Sequence, residues 1–130
     1  ANCMRIFKTR WFSKFAQKEK ISDSMLCNAV SAAESRLIDA NLGGGIIKQR
    51  VARPGEGKSG GYRTLIYYTF GQRAVFAFGF AKNAMENIGA KDLRDLRAAA
   101  SLTLNYSEAE MNRLVEIAKL EEVNCDEGIQ

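Results

Sequence analysis

The sequence contains no histidine among its 130 residues. Histidine is the commonest general base in enzymes and the commonest metal ligand, and it activates the serine or cysteine of many nucleophilic sites. Its absence excludes Ser-His and Cys-His nucleophile pairs and the usual zinc site. Carboxylates are not clustered in the basic middle of the chain, which disfavours a two-metal nuclease site. Any catalysis must therefore use lysine, arginine, tyrosine or backbone groups.

Proline, cysteine and long apolar runs are also scarce. The single proline and the lack of low-complexity runs indicate an ordered chain. No apolar run approaches the ~20 residues of a membrane span. The start lacks the apolar core of a signal peptide, and Met4 is interpreted as the natural first residue. Cys3, Cys27 and Cys125 are far apart and odd in number, so we expect neither a disulfide framework nor a metal knuckle, and a reducing cytoplasm as the setting.

The charge that is present is unevenly distributed. The formal net charge is +4, but basic residues dominate positions 4–82, whereas the last quarter of the chain is acidic. Five cations fall within positions 48–63: Lys48, Arg50, Arg53, Lys58 and Arg63. A basic middle with an acidic end indicates a surface that binds a polyanion, kept apart from a structural or partner-binding end. The alternative is an ordinary solvated face.

The segment RPGEGKSGGYR, residues 53–63, ends like a nucleotide-binding P-loop at Gly57-Lys58-Ser59. The P-loop pattern requires a glycine five residues before Gly57, where this chain has Ala52. The residues that follow are aromatic and β-branched, which predicts a strand rather than the helix that a P-loop needs. We therefore interpret the segment as a connection between strands, or as a basic loop that contacts phosphates of a larger ligand. A nucleotide cofactor is not expected.

Hydrophobic periodicity predicts the order β-α-α-β-β-β-α-α. The predicted strands are residues 4–9, 46–53, 62–70 and 73–81, and the predicted helices are residues 11–18, 22–41, 90–102 and 107–121. Gly43-Gly44-Gly45 is expected to end the second helix. This order predicts an α+β fold with an antiparallel sheet of about four strands, packed on one face by helices and open on the other. We expect a single domain, residues 1–130, with a C-terminal helical extension at about 90–123.

Period-two alternation assigns side chains to sheet faces. Lys48 and Arg50 share one face of the second strand, away from Ile47, Gln49 and Val51. Two aromatic sets are expected to lie in the core: Phe76, Phe78 and Phe80 on one face of the fourth strand, and Trp11, Phe12 and Phe15 on one side of the first helix. In the second helix, the inward stripe is Leu26, Val30, Ala33 and Leu37.

Two runs, GGGIIKQRVARPGEGKSGGYRTLIYY and FGFAKNAMENI, resemble the RelE/HigB group of bacterial type II toxin-antitoxin toxins, within the RelE/ParE superfamily. The resemblance extends from residue 4 to about residue 123. It implies a compact α+β fold and a ribosome-dependent endoribonuclease that cuts mRNA and inhibits translation. It also implies a cognate antitoxin that binds and blocks the toxin.

The resemblance assigns candidate site residues. The catalytic set is Lys48, Arg50, Arg63 and Lys82, and the residues expected to bind RNA are Arg53, Lys58 and Asn83. The sequence departs from the family pattern at two places. The glycine-rich loop is longer than in compact members of the family. Some members also have a tyrosine after the fourth strand, and residues 83–88 contain none. No metal and no cofactor are expected.

The chemistry of RNA fits this residue set, because the 2′-hydroxyl next to the scissile phosphate is a built-in nucleophile. We expect Arg63 to grip the phosphate with two hydrogen bonds, and Arg50 to hold a flanking phosphate. Lys48 or Lys82, close to other cations, is the expected base. Two other functions remain open: a ParE-like poison of DNA gyrase, and a non-catalytic RNA- or protein-binding module.

Overall fold

The computed structural model describes residues 4–53, 61–81 and 90–125. These ranges hold β1 Arg5–Thr9, α1 Arg10–Glu19, α2 Asp23–Glu34, β2 Ala40–Gly43, β3 Ile46–Val51, β4 Tyr62–Thr69, β5 Arg73–Phe80, α3 Ala90–Leu104, α4 Glu108–Glu116 and β6 Leu120–Glu122. The predicted α+β class is confirmed. None of the helices in these ranges is long and apolar enough to cross a membrane.

The six strands form one mixed sheet in the order β2-β3-β4-β5-β1-β6. Strand β1 runs parallel to β5, and the other neighbours are antiparallel. The sheet is therefore larger than the four antiparallel strands that we expected. The additional strands β2 and β6 have four and three residues, which is too short for an alternating pattern to identify them in the sequence.

Helices cover both faces of this sheet, so the expectation of one helical face and one open face is wrong. The core on the first face lies under α1 and α2 and includes Phe12, Leu26, Ile47, Ile66 and Phe76. The core on the second face lies under α3 and α4 and includes Phe7, Leu65, Val75, Ala100 and Met111. The C-terminal helices close the second face because their apolar side chains have no other surface on which to be buried.

The second helix is shorter than predicted. It ends at Glu34, and Leu37, expected to point inward, is 68% exposed. Strand β2 follows, and Gly43, Gly44 and Gly45 all have positive φ angles, of 81°, 63° and 86°. The glycines therefore form the turn of the β2–β3 hairpin instead of a helix cap. The two interpretations were hard to separate in the sequence because both use glycine in the left-handed region.

The last helix is also shorter than predicted, since α4 ends at Glu116. Ala118 then adopts a φ of 61° and the chain turns into β6, which pairs with β1. Ala118 is exposed. Strand β6 returns the C-terminal end of the described chain to the edge of the sheet beside β1.

A β-bulge divides the phenylalanines of β5 between the two faces, which corrects the prediction that they share one. Leu65 pairs with Phe78 whereas Ile66 pairs with Phe76, so Ala77 is an extra residue on β5. An extra residue reverses the alternation beyond it. Phe76 therefore belongs to the first core, while Phe78 and Phe80 pack against the second.

Cys27 and Cys125 form a disulfide, which contradicts the expectation that the cysteines make none. They are 98 residues apart in sequence, and spacing alone gave no signal for this pair. They meet because β6 brings the C-terminal end back to β1, next to α2. The backbone N–H of Asn124 also donates to Asp23 Oδ2, at 3.0 Å, in the first turn of α2.

Glu108 joins two arginines on neighbouring strands at the start of α4. It accepts from Arg5 Nη1 at 2.7 Å and from Arg73 Nη2 at 2.6 Å. The hydrogen bond from Arg5, followed by that from Arg73, holds the pKa of Glu108 below its usual value. A group with a lowered folded-state pKa contributes stability above its unfolded pKa and loses it as pH falls through the folded value.

We therefore expect the free energy of unfolding of Glu108→Gln to fall less than that of the wild type as pH drops from 7 through the acid range. The difference should be about 1 kcal/mol or less, because the Glu108 side chain is 63% exposed. Urea unfolding at a series of pH values measures it, with Glu116→Gln, a similarly exposed carboxylate paired within one helix, as the control. Identical acid profiles for wild type and Glu108→Gln would contradict this linkage.

Gly61, directly before β4, has no room for a side chain. A Cβ there would lie 2.3 Å from the carbonyl oxygen of Val51 and 3.1 Å from Cα of Ala52. Both neighbours are backbone atoms, which cannot move without displacing the end of β3. We expect Gly61→Ala to lower the free energy of unfolding by about 1–3 kcal/mol, measured by urea denaturation. A variant as stable as the wild type would show that this close approach is not maintained.

Candidate nucleic-acid interface

Three of the predicted site residues lie together on two neighbouring strands. Arg50 of β3 is directly opposite Arg63 of β4, and Lys48 is opposite Leu65. Directly paired residues point to the same face of a sheet, so Lys48, Arg50 and Arg63 share one face. We call these three residues the cationic cluster. The predicted alternation along β3 is confirmed, because Ile47 and Val51 belong to the core on the opposite face.

The cluster lies at the end of β3 and β4 that the second core leaves free. That core reaches Leu65, which pairs with Lys48, and continues through Ile46 and Tyr67 toward the other end of the two strands. On its other side, Arg63 of β4 pairs with Phe80 of β5. Phe80 packs at the margin of the second core. A small part of the second face therefore remains as a surface where cations and aromatic rings adjoin.

Arg50 and Arg63 are like charges placed opposite each other, an arrangement that destabilises a sheet by itself. Little in the described chain offsets it: Asp39 Oδ2 is 3.8 Å from Arg50 Nε, too long for a hydrogen bond. No carboxylate in the described ranges forms an ion pair with Lys48 or Arg63. Arg50 Nε and Arg63 Nη1 are buried and have no hydrogen-bond partner among the described residues. An unsatisfied buried donor costs about 1–3 kcal/mol, which an anion bound at the cluster would recover.

Arg53, predicted to bind RNA, is held differently. Its Nη2 donates to Tyr62 Oη, its guanidinium lies 4.7 Å from the centre of the Tyr62 ring, and Glu19 Oε1 is 3.9 Å away. Tyr62 belongs to the first core, so these contacts place Arg53 at the margin of the face that α1 covers. Arg53 lines a surface cavity of about 480 Å³ beside α2, and Arg50 reaches the same cavity around the edge of the sheet, because β2 pairs with β3 only as far as Lys48.

The remaining predicted site residues are Lys58, Lys82 and Asn83. All three lie outside the described residues, so their roles remain predictions. In the part of the chain that the structure does describe, no group of three or more His, Cys, Asp or Glu side chains is arranged to hold a metal ion.

Trp11 is an aromatic residue that the sequence interpretation placed in the core and that the structure leaves 46% exposed. Its ring stacks on Phe15, with centroids 5.4 Å apart, and contacts Phe78 at 5.2 Å. Phe12, the next residue along α1, is fully buried. Trp11 was missed because helical periodicity groups it with Phe15, whereas its exposure depends on how α1 packs on the sheet.

Comparison with protein families matches residues 4–123 to the family described as RelE toxin of RelE / RelB toxin-antitoxin system. A search of curated proteins returns no significant match. The matched range includes every helix and strand described above. Toxins of this family are generally endoribonucleases, and a toxin-antitoxin system implies a cognate antitoxin as partner. With the match covering nearly the whole sequence, the chain belongs to the RelE toxin family of toxin-antitoxin systems.

Proposed function

We propose that the protein is a ribosome-dependent endoribonuclease that inhibits translation by cutting mRNA. The observation that supports this most strongly is the opposed pair Arg50 and Arg63. One buried guanidinium nitrogen of each has no hydrogen-bond partner within residues 4–53, 61–81 and 90–125. Such an arrangement costs stability unless an anion binds to it. The RNA backbone supplies one phosphate per nucleotide, and single-stranded RNA can bend to present them.

The reaction is an internal transfer within the RNA. The 2′-oxygen attacks the adjacent phosphorus and the bond from phosphorus to the 5′-oxygen of the next nucleotide breaks. The products are a 2′,3′-cyclic phosphate and a 5′-hydroxyl end. Negative charge builds up on the non-bridging oxygens in the transition state, and the guanidinium of Arg63 is the group that stabilises it. One preorganised donor of this kind contributes about 3–4 kcal/mol.

Two protons must also move. One leaves the 2′-hydroxyl and one reaches the departing 5′-oxygen. Lys48, in the cationic cluster, and Lys82 are the two candidate groups for these transfers, and each transfer typically contributes ~10²–10⁴-fold to the rate. Arg50 holds a flanking phosphate, and Arg53, Lys58 and Asn83 contact the RNA on either side.

The target defines where the protein acts. Translating ribosomes present a single-stranded segment of mRNA, and they operate in the cytoplasm. The cognate antitoxin acts by binding the toxin and preventing this access. Since the attacking group belongs to the RNA and the charges belong to lysine and arginine, the proposed reaction uses no metal and no cofactor from the toxin.

The test is to incubate the purified protein with ribosomes translating a defined mRNA and to map the 5′ ends of the fragments. We expect cuts that require ribosomes and that leave 5′-hydroxyl ends, detected by their need for phosphorylation before ligation. Intact mRNA together with gyrase-linked DNA breaks would contradict this proposal and would indicate that the protein poisons gyrase. If the protein causes neither mRNA cleavage nor DNA breaks, the remaining function is a non-catalytic binding module.

A further inference from the structure

Trp11 is the only tryptophan of the chain and lies in the first turn of α1. Its ring is supported by two others: it stacks on Phe15 with an interplanar angle of 18° and meets Phe78 at 60°. Almost half of the residue nevertheless remains exposed. A large aromatic ring held in place by other rings and open to solvent is a platform on which a flat ligand can stack.

The platform adjoins the cationic cluster. Lys48, Leu65 and Phe78 are paired in one row across β3, β4 and β5, and Trp11 contacts the last member of this row. Pairing of β5 with β1 stops at Phe76, which leaves the edge of β5 next to Phe78 accessible to α1. Neighbouring strands are about 4.8 Å apart, so a few nucleotides of single strand can reach from the cluster to Trp11.

The helix that carries Trp11 has a cationic surface. Arg10, Lys14 and Lys18 follow one another at intervals of four residues and are exposed. None of the three forms an ion pair with another residue of the described ranges. Residues three, four or seven positions apart share one side of a helix, so Lys14 and Lys18 lie on the same side as Trp11. The only acidic residue of α1 is Glu19, which instead accepts a hydrogen bond from Tyr62.

We propose that Trp11 stacks on a nucleobase of single-stranded RNA, and that Lys14 and Lys18 contact the phosphates that flank it. The RNA then runs from the cationic cluster, across Phe78, and along α1. This inference rests on the proposed function for the identity of the polymer. Alternation of aromatic rings with cations is the pattern of surfaces that bind single strands, where each stacked base contributes about 1–3 kcal/mol. An apolar protein partner would not need the row of cations beside the ring.

The single tryptophan makes stacking directly measurable. The wild-type protein is titrated at low salt with a 2′-O-methyl RNA oligonucleotide, which has no free 2′-hydroxyl and cannot be cut by internal transfer. We expect the tryptophan fluorescence to be quenched on binding. Heparin, a polyanion without bases, should bind the cations and produce little quenching. Equal quenching by heparin would overturn the stacking proposal.

A pair of variants distinguishes the loss of stacking on RNA from the effect of removing any exposed aromatic ring. With fluorescein-labelled 2′-O-methyl RNA, the dissociation constant of Trp11→Ala should rise about 5- to 150-fold, which corresponds to 1–3 kcal/mol. Phe70→Ala is the matched control. Phe70 is 47% exposed and also lies next to an arginine, with Arg36 3.8 Å from its ring centre, but it follows β4 at the end away from Arg63. Its removal should leave the dissociation constant unchanged, and thermal unfolding confirms that both variants are folded.

The outcomes also separate this inference from the proposed function. RNA that binds without quenching, or with equal affinity for Trp11→Ala, overturns the role of Trp11 while ribosome-dependent cleavage stands. Quenching by RNA without cleavage on ribosomes supports the inference and removes the nuclease. The inference is overturned if the RNA does not bind at low salt. It is also overturned if the antitoxin quenches the Trp11 fluorescence and RNA does not.

Discussion

Replacement of Arg63 by alanine is expected to slow mRNA cleavage on the ribosome by about 10²–10³-fold, the loss caused by removing one preorganised donor to developing charge. Arg63 is the member of the cationic cluster opposite both Arg50 and Phe80, and its Nη1 is buried without a hydrogen-bond partner in the described part of the chain. Single-turnover cleavage of a defined mRNA on stalled ribosomes measures the rate.

The same substitution should not destabilise the fold through this contact. Removing one of two opposed like charges relieves a repulsion worth about 0.2–1 kcal/mol. We therefore expect the free energy of unfolding of Arg63→Ala to equal or exceed that of the wild type, in contrast to its activity. If Arg63 had a purely structural role, the Arg63→Ala variant would lose both stability and cleavage activity.

Two further variants define the role of the guanidinium. Arg63→Lys keeps the charge but loses the planar pair of donors, so we expect a rate between those of Arg63→Ala and the wild type. Arg113→Ala is the matched control, because Arg113 is an exposed arginine of α4 that pairs only with Glu116 among the described residues. Cleavage by Arg63→Ala at the wild-type rate would remove Arg63 from the proposed site.

Loss of the Cys27–Cys125 disulfide is expected to cause the largest change in stability. In the chain-entropy description, cross-linking a loop of about 100 residues stabilises the folded state by up to about 4–5 kcal/mol, and this loop spans 98 positions. We expect Cys27→Ser to lower the free energy of unfolding by about 4 kcal/mol and the melting temperature by roughly 15 °C.

The variant should still fold, because other contacts hold the C-terminal end of the described chain. The backbone N–H of Val123 donates to the carbonyl of Ile6, and that of Asn124 donates to Asp23. The effect of the disulfide is then measured as a difference between two folded proteins by urea denaturation under non-reducing conditions.

Reduction supplies a non-additive test. A reducing agent should destabilise the wild type as much as the substitution does and should have no further effect on Cys27→Ser. Cys3→Ser is the control and should respond to reduction like the wild type. Thiol titration of the unfolded, unreduced wild type should find one free thiol. Three free thiols before reduction, or a Cys27→Ser variant as stable as the wild type, would exclude this bond in solution.

Local features of the fold were predictable because local contacts determine them. The predicted helices began at residues 22 and 107, and Ser22 and Ser107 cap α2 and α4 by accepting hydrogen bonds from the third residue of each helix. The alternation along β3 placed Lys48 and Arg50 on one face, away from Ile47 and Val51, before their neighbours were known. Each of these results depends on residues only a few positions apart.

Features that depend on packing between distant segments were not predictable. The bulge at Ala77 reverses which face Phe78 occupies, and α3 and α4 cover most of a sheet face that was expected to be open. The disulfide needed β6 to bring Cys125 back to α2. Trp11 has an apolar side chain in an amphipathic helix, and the packing of α1 on the sheet leaves it 46% exposed.

The sequence by itself determined the α+β class, the shared side of β3 on which Lys48 and Arg50 lie, and, through its motifs, the RelE family. The tertiary structure alone decided that Arg50 and Arg63 face each other, that Trp11 adjoins their row, and that Cys27 meets Cys125. The physical reason is that helix capping and strand alternation follow from neighbouring residues. Strand register, bulges and helix docking depend on packing interactions summed over the whole core. They therefore cannot be predicted from any short segment of the sequence.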